Sequence, residues 1–226
     1  MKRDLLDEIK DKLPKTPGIH GKDEYFNSAV LVLLVPIGGE YHFLFEKRAS
    51  AIRQGGEICF PGGEYDEKQD ADFQETAVRE TAEELGITAD KLDIIGVLDT
   101  MVAPMGTTVD AFVGVARIGN LKELKVNPLE VESIFTVPVS YFLHTLPEGY
   151  EVDIEIHPSY FDEETGKEVV LLPARELGLP AKYTEPWHGR RHNILVYRTE
   201  KGVIWGITAR LVYDLARKIT DREIDG

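Results

Sequence analysis

Residues 62–87 read GGEYDEKQDADFQETAVRETAEELGI, a double glycine followed by a helical pattern rich in carboxylates that closes on Gly86 and an aliphatic residue. At about 100° per residue, Glu80, Glu83 and Glu84 crowd one side of the helix expected over roughly 71–85. Glu75 lies at the edge of that group and points away from Glu84. Like charges three or four residues apart destabilise a bare helix by roughly 0.2–0.5 kcal/mol per pair. A sequence keeps such a face when it is solvated or when a cation neutralises it. Hard divalent ions such as Mg²⁺ take oxygen ligands and often bridge to phosphates. Arg79 borders the cluster and can pair with Glu83 at i+4. Gly62 and Gly63 permit a tight turn and bring bare backbone close to a ligand. A solvated acidic helix and a metal site for phosphate chemistry both fit the carboxylates alone; the order Gly-Gly, Arg-Glu, Glu-Glu, Gly-aliphatic favours the second.

That order resembles the signature box of the Nudix hydrolases. Arg79, Glu80, Glu83, Glu84, Gly86 and Ile87 fit its closing half residue by residue, and Gly63 fits its opening glycine. Fifteen residues separate Gly63 from Arg79, two more than the family usually has. The family's early glutamate would fall at Ala71 and is missing; Asp70 or Asp72 stands ready to replace it. The resemblance implies an α/β fold, a Nudix-type α/β/α sandwich with a mixed β-sheet. It also implies Mg²⁺- or Mn²⁺-dependent cleavage of a nucleoside diphosphate linked to another group. By the same resemblance Glu80, Glu83 and Glu84 hold the ions, a backbone carbonyl near Gly62 contributes, Glu80 is the expected base and Arg79 orients the glutamates. Glu80, Arg79 and Glu83 are thus the candidate catalytic residues. Many members also carry an acid in a loop near the metals, and Glu130 is the candidate for it; a solvated loop acid is the alternative.

Upstream, residues 48–63 read RASAIRQGGEICFPGG. Two arginines and four glycines make a basic, flexible loop, either a solvent loop or a clamp, since arginine's planar fork matches phosphate oxygens. Its place directly before the acidic helix favours a clamp of Arg48 and Arg53, with Gly62 and Gly63 letting the substrate approach. This loop resembles the segment that precedes the box in Nudix enzymes cleaving coenzyme A. Arg48-Ala49, Arg53, Gly56 and Phe60-Pro61-Gly62-Gly63 match it, whereas Glu46 stands where that subgroup has Thr. Coenzyme A or an acyl-coenzyme A is therefore the expected substrate, with 3′,5′-ADP and 4′-phosphopantetheine as products. ADP-ribose or a dinucleotide is the alternative within enzymes, and a non-catalytic nucleotide sensor is the alternative outside them.

Composition sets bounds on these readings. The chain has 226 residues, 42% of them hydrophobic, and a net charge of −14. Such a charge argues against a nucleic-acid partner, yet bound cations would reverse the local sign at a phosphate site. The one cysteine, Cys59, rules out an internal disulfide and reads as a buried structural thiol. The charged N-terminus does not read as a signal peptide, and no apolar run reaches the ~20 residues of a membrane helix. A cytoplasmic protein without membrane contact is expected. One Nudix domain over 1–226 is expected, with a helical extension over 1–20 and an insertion or long loop over 147–192.

Residues 2–13 carry Leu5, Leu6, Ile9 and Leu13 on one helical face. That face suits packing against the domain or against a second subunit in a homodimer. Strands are expected over 28–36 and 41–47, joined at Gly38-Gly39, then over 92–102, 108–118, 133–138 and 193–199. Short and closing helices are expected over 139–145 and 204–219. Within 147–192 a hairpin of 150–158 against 167–173 is expected. Tyr150, Tyr160, Phe161, Tyr183 and Trp187 either stack on an adenine or form a minor core. His188, Arg190, Arg191 and His192 either reach a 3′-phosphate or form a solvated turn.

Overall fold

The computed structural model describes residues 3–220. A first helix, α1 (Arg3–Lys12), leads to the strand β1 (Phe26–Ile37), which turns through Gly38-Gly39 into β2 (Glu40–Arg48). Ile37 pairs with Glu40. The two glycines between them hold φ of 61° and 92°, as a two-residue hairpin turn with a right-handed strand twist requires. Two short strands follow, β3 (Ile58–Cys59) and β4 (Gly62–Glu64), and then the helix α2 (Phe73–Leu85). The Asp72 side chain caps α2 by accepting from the Glu75 amide, and Gly86 ends it at φ 61°. Beyond it come β5 (Leu92–Val97), β6 (Met101–Ala103), β7 (Thr107–Ala116), β8 (Val131–Pro138) and α3 (Val139–His144).

Those eight strands form one mixed sheet. β1 runs parallel to β7 and antiparallel to β2 and β4; β8 pairs with β2, and β5 and β6 both pair with β7. The continuous strand expected over 92–102 is thus two strands, interrupted at 98–100 with a register shift between Ile94 and Gly96. Strand period two sends alternate residues to opposite faces. Ala29, Leu31, Leu33, Val35 and Leu44 pack with Ala77 and Leu85 of α2. Val32, Phe43 and Phe45 pack on the other face with Phe142 of α3 and with Leu211 and Val212 near the C-terminus. Helices therefore cover both faces, and the fold is the α/β/α sandwich with a mixed sheet expected from the sequence.

The remaining strands are β9 (Glu148–Val152), β10 (Glu155–Ile156), β11 (Ser159–Asp162), β12 (Lys167–Val170), β13 (Trp187–His188), β14 (His192–Thr199) and β15 (Gly202–Trp205), before the closing helix α4 (Gly206–Thr220). Two expectations are corrected. The hairpin within 147–192 is β11 against β12, turned by Asp162, whose Oδ1 accepts from the amides of Glu164 and Thr165, and by Gly166 at φ 64°. β9 instead pairs with the distant β14, and β10 with β13. The closing helix begins at Gly206 rather than 204, because Glu200-Lys201 makes a tight turn that returns Ile204 and Trp205 as a strand against β14. The helix α1 forms as expected, but Leu5, Leu6 and Ile9 stay 38–46% exposed and Leu13 61%, so the apolar face is not packed on the domain. Among the described residues no helix is long and apolar enough to cross a membrane.

Candidate active site

The box residues meet where α2 crosses the start of β4. Gly62 has no room for a side chain: a Cβ there would lie 2.3 Å from the Ala29 carbonyl oxygen, at φ 150°. Its amide donates to Glu84 Oε2 at 2.9 Å, drawing that carboxylate, 4% exposed, against the strand. At Gly63 a Cβ would meet the Glu80 carboxyl carbon at 2.4 Å. The double glycine thus lets two glutamates of α2 lie directly on backbone, the packing that the sequence reading assigned to a ligand.

Arg79 organises the other acids. Its Nε and Nη2 grip Asp70 at 2.7 and 2.9 Å, while Nη1 donates to Glu80 at 2.9 Å and reaches Glu83 at 3.3 Å. Asp70, 3% exposed, also accepts from the Thr76 hydroxyl at 2.9 Å. Hydrogen bonds from Arg79, outweighing the cost of burial, pull the Asp70 carboxyl down to about 2. Asp70 is therefore the anchor of Arg79, and Asp72 is the helix cap. Between the two positions offered for the missing glutamate, the fold uses the buried one.

A further carboxylate escaped the sequence reading. Glu46 is fully buried, takes a hydrogen bond from the Cys59 thiol at 3.3 Å, and leaves Oε2 without a hydrogen-bond partner. Alternation along β2 puts Phe43 and Phe45 in the core under α3 and α4 and Leu44 in the core under α2. Glu46 therefore turns to the α2 side, toward Glu84. Burial raises the pKa of both acids, Glu84 is raised further by the charge of Glu46, and Arg48 partly offsets the rise in each. Burial likewise lifts Glu80, against the pull of Arg79. Glu130 adds to the repulsion on both Glu46 and Glu80, and its carbonyl accepts from the Ala49 amide at 2.8 Å, tying its loop to the one that follows Arg48. The Cys59 thiol is pushed up by burial and by the charge of Glu46, and it reads as a structural thiol. The signal for Glu46 was an acid in period-two register with Leu44, on the face of β2 that packs toward α2.

The expected site residues thus fall into groups. Arg79 joins Glu80 and Glu83; Glu84 lies on Gly62; Glu130, from the loop before β8, and Arg48, at the end of β2, act on the same carboxylates. Arg53 lies elsewhere, its guanidinium 5.1 Å from the centre of the Phe26 ring, and its carbonyl accepts from Arg48 Nε at 3.1 Å. Among the described residues no three His, Cys, Asp or Glu side chains converge at ion-ligating spacing. The donor set nevertheless fits a hard divalent ion: all oxygen, several acids pressing on one another's charge, and one buried oxygen unbonded. In the segment 147–192, Arg191 is paired with Glu151 and Asp153, and Tyr183 packs edge-on to Trp187.

The sequence pattern of the NUDIX domain matches residues 26–190, most of the chain. The chain belongs to the Nudix family. Within it, the chain is 31% identical over 148 residues to the mouse peroxisomal coenzyme A diphosphatase NUDT7, covering 64% of this chain and 61% of that one. It is 35% identical over 127 residues to the human mitochondrial coenzyme A diphosphatase NUDT8, covering 55% and 53%. An uncharacterized Nudix hydrolase, NudL of Photorhabdus laumondii, is 26% identical over 216 residues and 96% of both chains. This Nudix chain therefore spans between half and two thirds of the length of the two diphosphatases it resembles.

Proposed function

We propose that this chain is a divalent-metal-dependent pyrophosphohydrolase that cleaves coenzyme A or acyl-coenzyme A to 3′,5′-ADP and (acyl-)4′-phosphopantetheine. The observation that carries the hydrolytic reading is the set of mutually repelling, partly buried carboxylates, Glu80 and Glu84 above all, laid on the backbone of Gly62 and Gly63. The substrate class is supported by the match of Arg48, Arg53, Gly56 and residues 60–63 to the coenzyme A subgroup and by the two diphosphatase relatives. The reading takes 1–226 as one Nudix domain with 1–20 as an extension and 147–192 as an insertion. A cytoplasmic location belongs to the same proposal and is settled by cell fractionation.

Glu80, Glu83 and Glu84 would hold Mg²⁺ or Mn²⁺, with Glu130 flanking. When bound, the ion neutralises diphosphate charge and lowers the pKa of a water. Glu80 is the base of the proposal: half-buried, it takes the proton of the attacking water at Oε2, the oxygen that Arg79 leaves free. Arg79, anchored by Asp70, fixes the Glu80 carboxylate in place. Arg48 lies close enough to the carboxylates to stabilise charge arriving on the diphosphate. Water adds to one phosphorus, the bridging oxygen leaves with the other phosphate, and the proton ends on product or solvent.

The test is hydrolysis by purified protein with Mg²⁺ or Mn²⁺ over coenzyme A, acyl-coenzyme A, ADP-ribose, NADH and dinucleoside polyphosphates. Turnover of coenzyme A species above the others is expected. Clear turnover of ADP-ribose with none of any coenzyme A species would reject the substrate class. No turnover at all beside micromolar nucleotide binding would make the chain a sensor.

A further inference from the structure

Glu46 lies outside the Nudix box, and the mechanism above gives it no task. We infer that Glu46 is an additional ligand for the divalent cation, shared with Glu84; this rests on the proposed hydrolytic reading and adds a fourth acid to its ion site. Three observations carry it. First, the side chain is fully buried, although it is charged in its ordinary form, and a buried carboxylate requires a partner. Second, its bonding is incomplete. Cys59 Sγ satisfies Oε1 at 3.3 Å, a weak thiol donor, while Oε2 has no hydrogen-bond partner. Third, the nearest charges are mostly of the wrong sign for stability. Glu130 opposes it, Glu84 meets it carboxyl to carboxyl and is itself raised by its charge, and Arg48 offsets part of this in both.

A hydrophobic residue would fill this strand position without penalty, since Leu44 two residues earlier does so on the same face. Two carboxylates withdrawn from water and set against each other are stabilised by a hard cation that both touch. The thiol of Cys59 fixes one oxygen of Glu46 and so turns the other outward from the hydrogen-bonded pair. The backbone amide of Gly62 does the same for Glu84, occupying Oε2. Each acid is thus held through one oxygen by the protein, and the two carboxyl groups meet each other, where a cation could take the place of a shared proton.

The experiment measures Mn²⁺ binding to the full chain without substrate, by the electron paramagnetic resonance signal of free Mn²⁺, together with the thermal midpoint before and after addition of the ion. Wild type, Glu46→Gln, Glu46→Leu and Glu84→Gln are compared. Both Glu46 variants should fold, with midpoints without Mn²⁺ at or above wild type, because a buried unpaired charge is removed. Both should bind Mn²⁺ about tenfold more weakly or worse and gain less thermal stability from it, as Glu84→Gln does. Wild-type affinity in either Glu46 variant, beside a loss in Glu84→Gln, would overturn the role of Glu46 and leave the hydrolytic reading intact. Loss of the fold in both Glu46 variants would make the residue structural and overturn it as well. No Mn²⁺ binding by wild type would overturn both.

Discussion

Two acidic regions of this molecule behave in opposite ways. Around α2 three carboxylates are inside: Asp70, Glu84 and Glu46 are at most 4% exposed and each accepts from a named donor, while Glu83, its side chain 58% exposed, is the outer member of the set. In the arm between α3 and β14, Glu148 and Glu151 of one exposed strand and Asp153 just beyond it pair with Arg198 or Arg191 in water, and Glu155 lies 3.4 Å from His157. The first set is fixed by backbone and packing, so a change there propagates. The second set is screened and replaceable, because exposed pairs contribute little. Charge count alone does not separate the two; what separates them is whether the side chain lies between a helix and a sheet.

The sharpest way to test the contrast is at the box itself. Glu83→Gln should lower turnover at least about 10²-fold, because ion-held charge stabilisation is worth several kcal/mol. Steady-state kinetics with saturating Mg²⁺ checks it, and turnover equal to wild type would end the metal assignment. Next in size is Asp70→Ala. It removes a buried partner of Arg79, and breaking a buried pair costs roughly 3–5 kcal/mol. Arg79 keeps Glu80 and Glu83, so about 3 kcal/mol is expected in urea unfolding, at the low end of that range. The pH dependence carries a sign. Asp70 is held at about 2, below its ordinary 3.8, so its stabilisation is fully present above the ordinary value and is lost as pH falls through about 2. The stability gap between wild type and Asp70→Ala should therefore close over that window; a gap that stays constant to below pH 2 would deny the buried pair.

Gly63→Ala should act more gently on the fold and mainly on rate. The atom in its way is the far end of Glu80, which can swing aside. Stability should fall by about 1 kcal/mol, the low end for overpacking, whereas turnover should fall about tenfold because the proposed base is displaced. A large loss of stability with unchanged turnover would mean that Glu80 is packing rather than chemistry.

Legibility in the sequence follows the same division. The box helix could be read almost to the residue, since Asp72 and Gly86 mark its ends by local chemistry and Arg79 with its three glutamates fixes its register. The β1–β2 hairpin was as plain, because Gly38-Gly39 suits only a primed turn. Glu46 was harder: its burial comes from α2 and β3 closing over it, contacts that no local pattern announces. The pairing of β9 with β14 was missed for a related reason. Its partners are some forty residues apart in the chain, and a nearer hairpin competes on local signals. β15 was misread because Ile204 and Trp205 also continue the apolar spacing of α4; the turn at Glu200-Lys201 decides against the helix.

The smallest expected effect lies in the arm, and it is the one that can overturn the contrast. Arg191 reaches Asp153 at 3.1 Å and Glu151 at 3.3 Å, with all three side chains at least 60% exposed. Arg191→Ala should change stability by no more than about 0.5 kcal/mol. The sequence also offers Arg191, with His188, Arg190 and His192, as a site for the 3′-phosphate of coenzyme A. In the structure two carboxylates already neutralise Arg191, so a phosphate would have to displace them. The KM for coenzyme A should then stay within about twofold of wild type, since no uniform binding energy is removed. A tenfold rise in KM at unchanged kcat would show that the arm grips the substrate away from the reacting phosphorus. The arm would then be part of the site, and exposure would no longer separate the two acidic regions by function.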